Sequence, residues 1–167
     1  NARFRFAGNG ETEKLQAQAD ALGITDHVDV MGWTAGPDKI DAFQTADIYC
    51  LPSYAENLPV SVLEAMAARL PVVGTPIAGT PEEIIEGETG FMVEPGDKKA
   101  IAERLVRLLS DESMRQKMGL AGRLRAEEHF DNEVVCNRLI GIWRSIFADR
   151  GEESAPNFRP SDYSEGV

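Results

Sequence analysis

Leu51–Gly74 reads LPSYAENLPVSVLEAMAARLPVVG, and the rest of the chain is organised around it. An apolar strand ends at Leu51. Pro52 and Ser53 break it, and a short polar loop carries Glu56 and Asn57. Pro59 is expected to open a helix running to about Arg69, since a proline at the first helical position loses no hydrogen bond. Pro71-Val72-Val73 then starts the next strand. The free backbone donors of that helix, those of Val60 and Ser61 among them, face the loop and form an anion site with the helix dipole behind it. Glu56 and Glu64 flank the site, with seven residues between them.

Two carboxylates beside an anion site make sense if each has its own task. A carboxylate only accepts hydrogen bonds, and paired sugar hydroxyls are good donors to it. A ligand with phosphate in the middle and a sugar at each end would use helix amides on the phosphate and one carboxylate on each sugar. From Pro59 to Glu64 a helix rises roughly 7–8 Å, which suits two rings of one nucleotide-sugar better than a single attacked atom. The spacing alone also fits two solvent-facing glutamates, because acidic residues near a helix start are favoured without any ligand.

Upstream, Arg3 to Ala7 alternates as a half-buried strand does. Gly8-Asn9-Gly10 follows, then a helix with Leu15, Ala19 and Leu22 on one face, stopped by Gly23. A dinucleotide fingerprint would need a glycine where Glu13 stands, so this loop reads as a structural turn. His27 to Met31 is a second strand, Pro37 to Thr45 a short helix, and Asp47 to Leu51 a third strand. Strands alternating with helices imply an α/β parallel sheet with ligands at the strands' C-terminal ends. Downstream, Thr75 to Thr80 is a loop, Pro81-Glu82-Glu83 a single turn, and Phe91-Met92-Val93 a strand. Asp97 is expected to cap the next helix. Glu82 and Glu83 read first as residues favouring a helix start, with Glu83 also a candidate for a supporting hydrogen bond. Lys98 to Leu109, Glu112 to Glu128 and Asn132 to Asp149 read as three amphipathic helices whose apolar stripes are core contacts. Residues 1–149 thus form one domain. Residues 150–167, polar and aperiodic, are expected to be a disordered tail.

The 167 residues carry a net charge of −11, which argues against nucleic acid or an anionic membrane as partner. Cys50 and Cys136 are expected to be buried thiols, with no disulfide or metal framework. His27 and His129 have no metal-like or nucleophilic neighbours in sequence. No apolar run is long enough to span a bilayer, and the expected compartment is the cytoplasm.

The string from Pro52 to Asp97, PSYAENLPVSVLEAMAARLPVVGTPIAGTPEEIIEGETGFMVEPGD, resembles the retaining, GT-B-fold glycosyltransferases of family 4. Their frame places Glu, seven residues and Glu inside PS-x-x-E…LEAMA-x-G-x-PVV, and the likeness extends over most of residues 2–145. The resemblance implies a Rossmann-like parallel sheet with flanking helices, the C-terminal half of a GT-B fold. It implies that Glu56 binds donor-sugar hydroxyls and is the catalytic residue of this half. Glu64 would bind the nucleotide ribose, and the backbone of Asn57, Leu58 and Val60 would lie against sugar and diphosphate. Backbone of Gly32, Trp33 and Thr34 would meet the nucleobase. Trp33 would either stack on that base or cover the sheet edge, in both cases partly buried. Gly79 would let backbone approach the donor sugar. Arg69 departs from the family's usual glycine and reads as a structural change, a cation welcomed at a helix end.

A diphosphate needs positive charge. A helix N-terminus contributes about 0.3–1 kcal/mol per charge, whereas micromolar binding needs about 8 kcal/mol. No Lys or Arg lies in the central loop. The resemblance places the gripping cations, the first strand of the sheet and the acceptor-binding N-terminal domain before Asn1. The strand lacking would sit between those of residues 3–7 and 47–51, leaving a gap there or displacing them. Peripheral membrane association would then run through that other domain, as would the acceptor glycan or lipid. The last helix, with Trp143 and Phe147, is expected to show exposed apolar residues.

The leading expectation is a hexosyltransferase-type domain moving a sugar, with retention, from a nucleotide diphosphate to a hydroxyl acceptor, with no cofactor and no metal. As a lone fragment it is expected to be inactive. Alternatives from the same architecture are a nucleotide-sugar epimerase or a phosphorylase, and a non-catalytic nucleotide-sugar-binding module.

Overall fold

The computed structural model describes residues 2–149; the expected tail, 150–167, lies outside the described residues. The order is β1 (Phe4–Ala7), α1 (Thr12–Ala21), β2 (Val28–Gly32), α2 (Gly36–Gln44), β3 (Tyr49–Leu51), α3 (Val60–Ala67), β4 (Val72–Gly74), α4 (Thr80–Glu83), β5 (Gly90–Met92), α5 (Lys98–Ser110), α6 (Glu112–His129) and α7 (Asn132–Asp149). A single 3-10 turn, Thr25–His27, precedes β2.

All strand pairings of the two sheets are parallel. β1 pairs with β2, and β4 lies between β3 and β5. Among the described residues no ladder joins β1 to β3. The break falls where the resemblance put an intervening strand. Arg5 Nη1 bridges it by donating to Thr45 Oγ1 at 2.6 Å.

The three-stranded sheet is the heart of the molecule. Its central strand is wholly apolar, and side chains alternate between its faces with the strand period of two. Val72 packs with Val62, Ala65, Met66, Leu70 and Ile84 on one face. Val73 packs with Phe91, Val93, Leu108 and Met118 on the other. Val62, Met66, Val72, Val73 and Leu108 are fully buried, each stabilising the fold by about 1.5–3 kcal/mol. Helices cover both faces, which is why β4 needs no polar alternation. Asp97 caps α5 by accepting from the Ala100 N–H at 2.9 Å, and Asp111 caps α6 through the Met114 N–H at 2.8 Å.

Several expectations change. Helix α3 is shorter than read: Pro59 is its N-cap, with ψ of 100°, and Val60 is its first residue. An extended cap leaves the proline ring outside the helical turn. The chain leaves α3 through Arg69, whose φ is 62°. The Arg69 N–H reaches Met66 O at 2.9 Å and the Leu70 N–H reaches Ala65 O at 3.0 Å, the paired bonds that end a helix through a left-handed residue. The departure from glycine is therefore conformational as well as electrostatic. Strand β1 is not half-buried. All four of its residues are exposed, Phe4 and Phe6 among them, because only β2 flanks it. Leu22 is exposed at the end of α1. Cys136 is exposed rather than buried; Cys50 is partly buried, and burial pushes its thiol up to about 11. On α7, Leu139, Ile142, Trp143 and Ile146 are exposed, as expected of that helix, and Trp143 stacks on Phe147 with ring centroids 6.0 Å apart.

Candidate functional site

Strands β3 and β4 run parallel, so their C-terminal ends, Leu51 and Gly74, deliver two loops to the same rim. The first carries Glu56 into α3; the second, Thr75 to Gly79, leads into α4. They are tied together. The Thr75 hydroxyl donates to Ser53 O at 2.8 Å, and the Gly79 N–H donates to Asn57 O at 2.7 Å. A Cβ on Gly79 would stand 2.7 Å from Leu58 Cδ1 and 2.8 Å from Asn57 O. The glycine thus serves the contact between these two loops.

Within this frame Glu56 is partly buried, and Oε1 accepts from the Ser53 hydroxyl at 2.6 Å. That bond holds the carboxylate at the loop mouth and leaves acceptor capacity for a ligand. Asn57, Leu58 and Val60 are exposed beside it. The Val62 N–H bonds Pro59 O at 2.8 Å, so the donors of Val60 and Ser61 precede the first bond of α3 and face outward. Glu64, on the next turns of α3, is about one-third exposed and accepts from Lys39 Nζ at 2.6 Å. Both carboxylates act on one group. Burial first, and then Glu56 and Glu64, push the Tyr49 phenol up, while a hydrogen bond with Ser61 acts the other way. Glu56 precedes α3 and Glu64 lies within it, and both are near enough to the Tyr49 phenol to oppose its ionisation.

Trp33 and Thr34 follow β2. They line a pocket of about 360 Å³ with Asp29, Met31, Asp38 and Asp41. Trp33 is 75% exposed, so it neither covers the sheet edge nor is partly buried, as both readings required. The Thr34 hydroxyl donates to Gly32 O at 3.1 Å. The same loop leads into α2, whose Lys39 reaches Glu64. A larger cavity, about 590 Å³, lies at the start of β5 between Phe91, Arg104, Arg107 and Lys117. That is the sheet end opposite Glu56, and it contains none of the predicted residues.

Lys39 and Tyr49 are neighbours of the site that the sequence did not indicate, and Glu83, a candidate for a supporting hydrogen bond, makes none with its carboxyl. Lys39 is 25 positions from Glu64 and reaches it only because α2 packs along the domain. Ser53, three residues before Glu56, was within reach of a local reading. Glu83 sits beside two isoleucines, an apolar context in which a carboxylate is out of place. It is fully buried, and neither oxygen has a hydrogen-bond partner. Among the described residues no group of three or more His, Cys, Asp or Glu is placed to hold a metal ion, and no helix is long and apolar enough to cross a membrane.

This arrangement has known counterparts. The family described as glycosyl transferases group 1 matches residues 1–125. The capsular polysaccharide biosynthesis glycosyltransferase CapM of Staphylococcus aureus is 31% identical over 149 residues, 89% of this chain and 39% of that protein. The putative glycosyltransferase EpsD of Bacillus subtilis is 37% identical over 125 residues, 74% of this chain and 32% of that protein. The chain thus spans between about a third and two-fifths of these relatives. Among solved structures, the C-terminal domain of a group 1 glycosyl transferase, LpcC, from Francisella tularensis aligns with a TM-score of 0.66 at 27% identity, covering 72% of this chain and 62% of that one. Anabaena Alr3699/HepE in complex with UDP-glucose shares the fold with a TM-score of 0.77 at 22% identity, over 86% of this chain and 41% of that one. With its parallel α/β sheet and the match over residues 1–125, this chain belongs to the group 1 glycosyl transferases of GT-B fold.

Proposed function

We propose that this chain forms the donor-binding part of a glycosyltransferase that moves a sugar, with retention, from a nucleoside diphosphate to a hydroxyl acceptor. The observation that carries the reading is the grouping at α3. Glu56, held by Ser53, precedes α3, and Glu64, held by Lys39, lies within it, with the first-turn N–H groups of Val60 and Ser61 between them. Glu56 accepts donor-sugar hydroxyls and is the residue nearest the chemistry. Glu64, braced by Lys39, accepts from the ribose. The backbone of Asn57, Leu58 and Val60 lies along the sugar and diphosphate, and the α3 amides stabilise charge growing on the leaving phosphate. Trp33, exposed beside Thr34, stacks on the base. UDP-glucose, bound by a protein of this fold, represents the donor class. The acceptor, a glycan or lipid, is bound by another part of the protein. Two unpaired thiols suit a reducing cytoplasmic compartment.

The test is turnover by the intact protein with UDP-glucose as the probe donor. A hydrogen bond to a charged group contributes about 1.5–3 kcal/mol, so Glu56→Ala should lower kcat/KM by about 10–150-fold. Glu64→Ala should act mainly on the donor's KM. Near-normal constants in both variants would defeat the assignment.

A further inference from the structure

We propose that Glu83 is a positioning residue of the donor site: a buried, unpaired carboxyl that carries a proton while the donor is held, leaving Glu56 as the acceptor at the loop mouth. This rests on the reading of Glu56 as the sugar-binding carboxylate.

The geometry begins with α4. It is a single turn at the C-terminal rim of β4, tied to the Glu56 loop by the Gly79–Asn57 bond of 2.7 Å. Glu83 ends that turn with no exposed surface. Its two oxygens are the buried side-chain polar atoms without a partner among the described residues. Buried polar groups are ordinarily paired, and a native exception calls for a reason. The groups facing it explain why it stays unpaired. Glu56 from the loop and Glu82 from α4 itself are the acidic groups near it. Arg125 of α6 reaches this turn but binds its main chain. Its Nε donates to Glu83 O at 2.9 Å and its Nη2 to Glu82 O at 2.5 Å, and its guanidinium lies 5.9 Å from the centre of the Phe130 ring.

An anion in that place would be buried, unpaired and close to two other acidic groups. A neutral acid is the form that fits. Burial foremost, then Glu56 and Glu82, push the Glu83 carboxyl up to about 7. Glu56 has what an anion requires: partial exposure and the Ser53 hydroxyl at 2.6 Å. A donor brings a diphosphate to the same rim. A second negative charge at Glu83 would oppose it, so only the protonated form accepts the donor well.

Carboxyl carbon NMR titration of this chain decides the first half. In the wild type one glutamate should titrate near pH 7, and the signal should vanish in Glu83→Gln. In Glu56→Gln, which leaves Glu83 in place should the first variant not fold, that glutamate should titrate at lower pH because a facing charge is gone. A Glu83 signal in the ordinary carboxylate range, or one unmoved in Glu56→Gln, overturns the proposal. The second half is the pH profile of kcat/KM for UDP-glucose turnover by the intact protein. The wild type should fall about tenfold per pH unit above 7, and Glu83→Gln should lose that alkaline fall. A buried acid with a purely structural role would leave the two profiles parallel. If Glu56→Ala abolishes turnover while the profiles match, the Glu83 inference alone falls. If Glu56→Ala is harmless, the donor-site reading falls with it.

Discussion

At the scale of single residues, Arg69 shows how a local conflict is tolerated. The turn out of α3 requires a left-handed residue, and a side chain there costs roughly 1–2 kcal/mol relative to a relaxed backbone. Arg69 adopts φ of 62° because the bonds of Arg69 and Leu70 to Met66 and Ala65 leave no alternative exit. Arg69→Gly should therefore stabilise the chain by about 1 kcal/mol, a rise in Tm of about 2–4 °C for a domain of this size. Thermal unfolding measures it. A lower Tm would mean that contacts of the arginine side chain outweigh the strain. The identities of Glu56 and Glu64 were legible in the sequence because both are carried by one short segment. The partners that give them context were not. Lys39 belongs to another helix, and burial of Glu83 depends on how other elements pack around α4.

At the scale of elements, two helical glycines look alike in sequence and differ in the fold. Gly119 lies in α6 where that helix crosses the end of α3. A Cβ there would stand 2.0 Å from the Arg69 carbonyl oxygen. Gly141 lies in α7 with nothing within 4 Å of such a Cβ. Backbone cannot yield as a flexible side chain does, so Gly119→Ala should destabilise by about 1–3 kcal/mol. Gly141→Ala, in an open helix interior, should stabilise by about 0.5–1 kcal/mol. Urea denaturation of the two variants checks the signs, and equal effects would show that α6 does not approach α3 this closely. The helical periodicity of α6 and α7 was readable from their apolar spacing. How tightly each packs is a tertiary matter: α6 buries Met118, Gly119, Gly122 and Ala126, whereas α7 leaves Leu139, Ile142 and Trp143 exposed.

At the scale of the whole molecule, stability should be uneven. β4 is sealed on both faces and paired on both edges. β1 is exposed throughout and paired on one edge only. Local opening free energies follow burial and contact density. Native-state hydrogen exchange should thus protect the amides of Val72 and Val73 far more strongly than those of β1 and β2. Uniform protection across both sheets would show that they open as one cooperative unit.

What the sequence determined by itself is what short range encodes. Alternating strands and helices announce a parallel α/β sheet, proline and glycine mark the breaks, and the segment Leu51–Gly74 sets two carboxylates around one helix start. Each of these depends on residues within a few positions of one another. The tertiary structure alone decided which charges meet. Lys39 reaches Glu64 across 25 residues, the Gly79 N–H ties its loop to that of Asn57, and Arg125 binds main chain beside the carboxyl of Glu83. Those outcomes depend on distance and dielectric inside a packed interior, and neither quantity exists until the chain has closed around it.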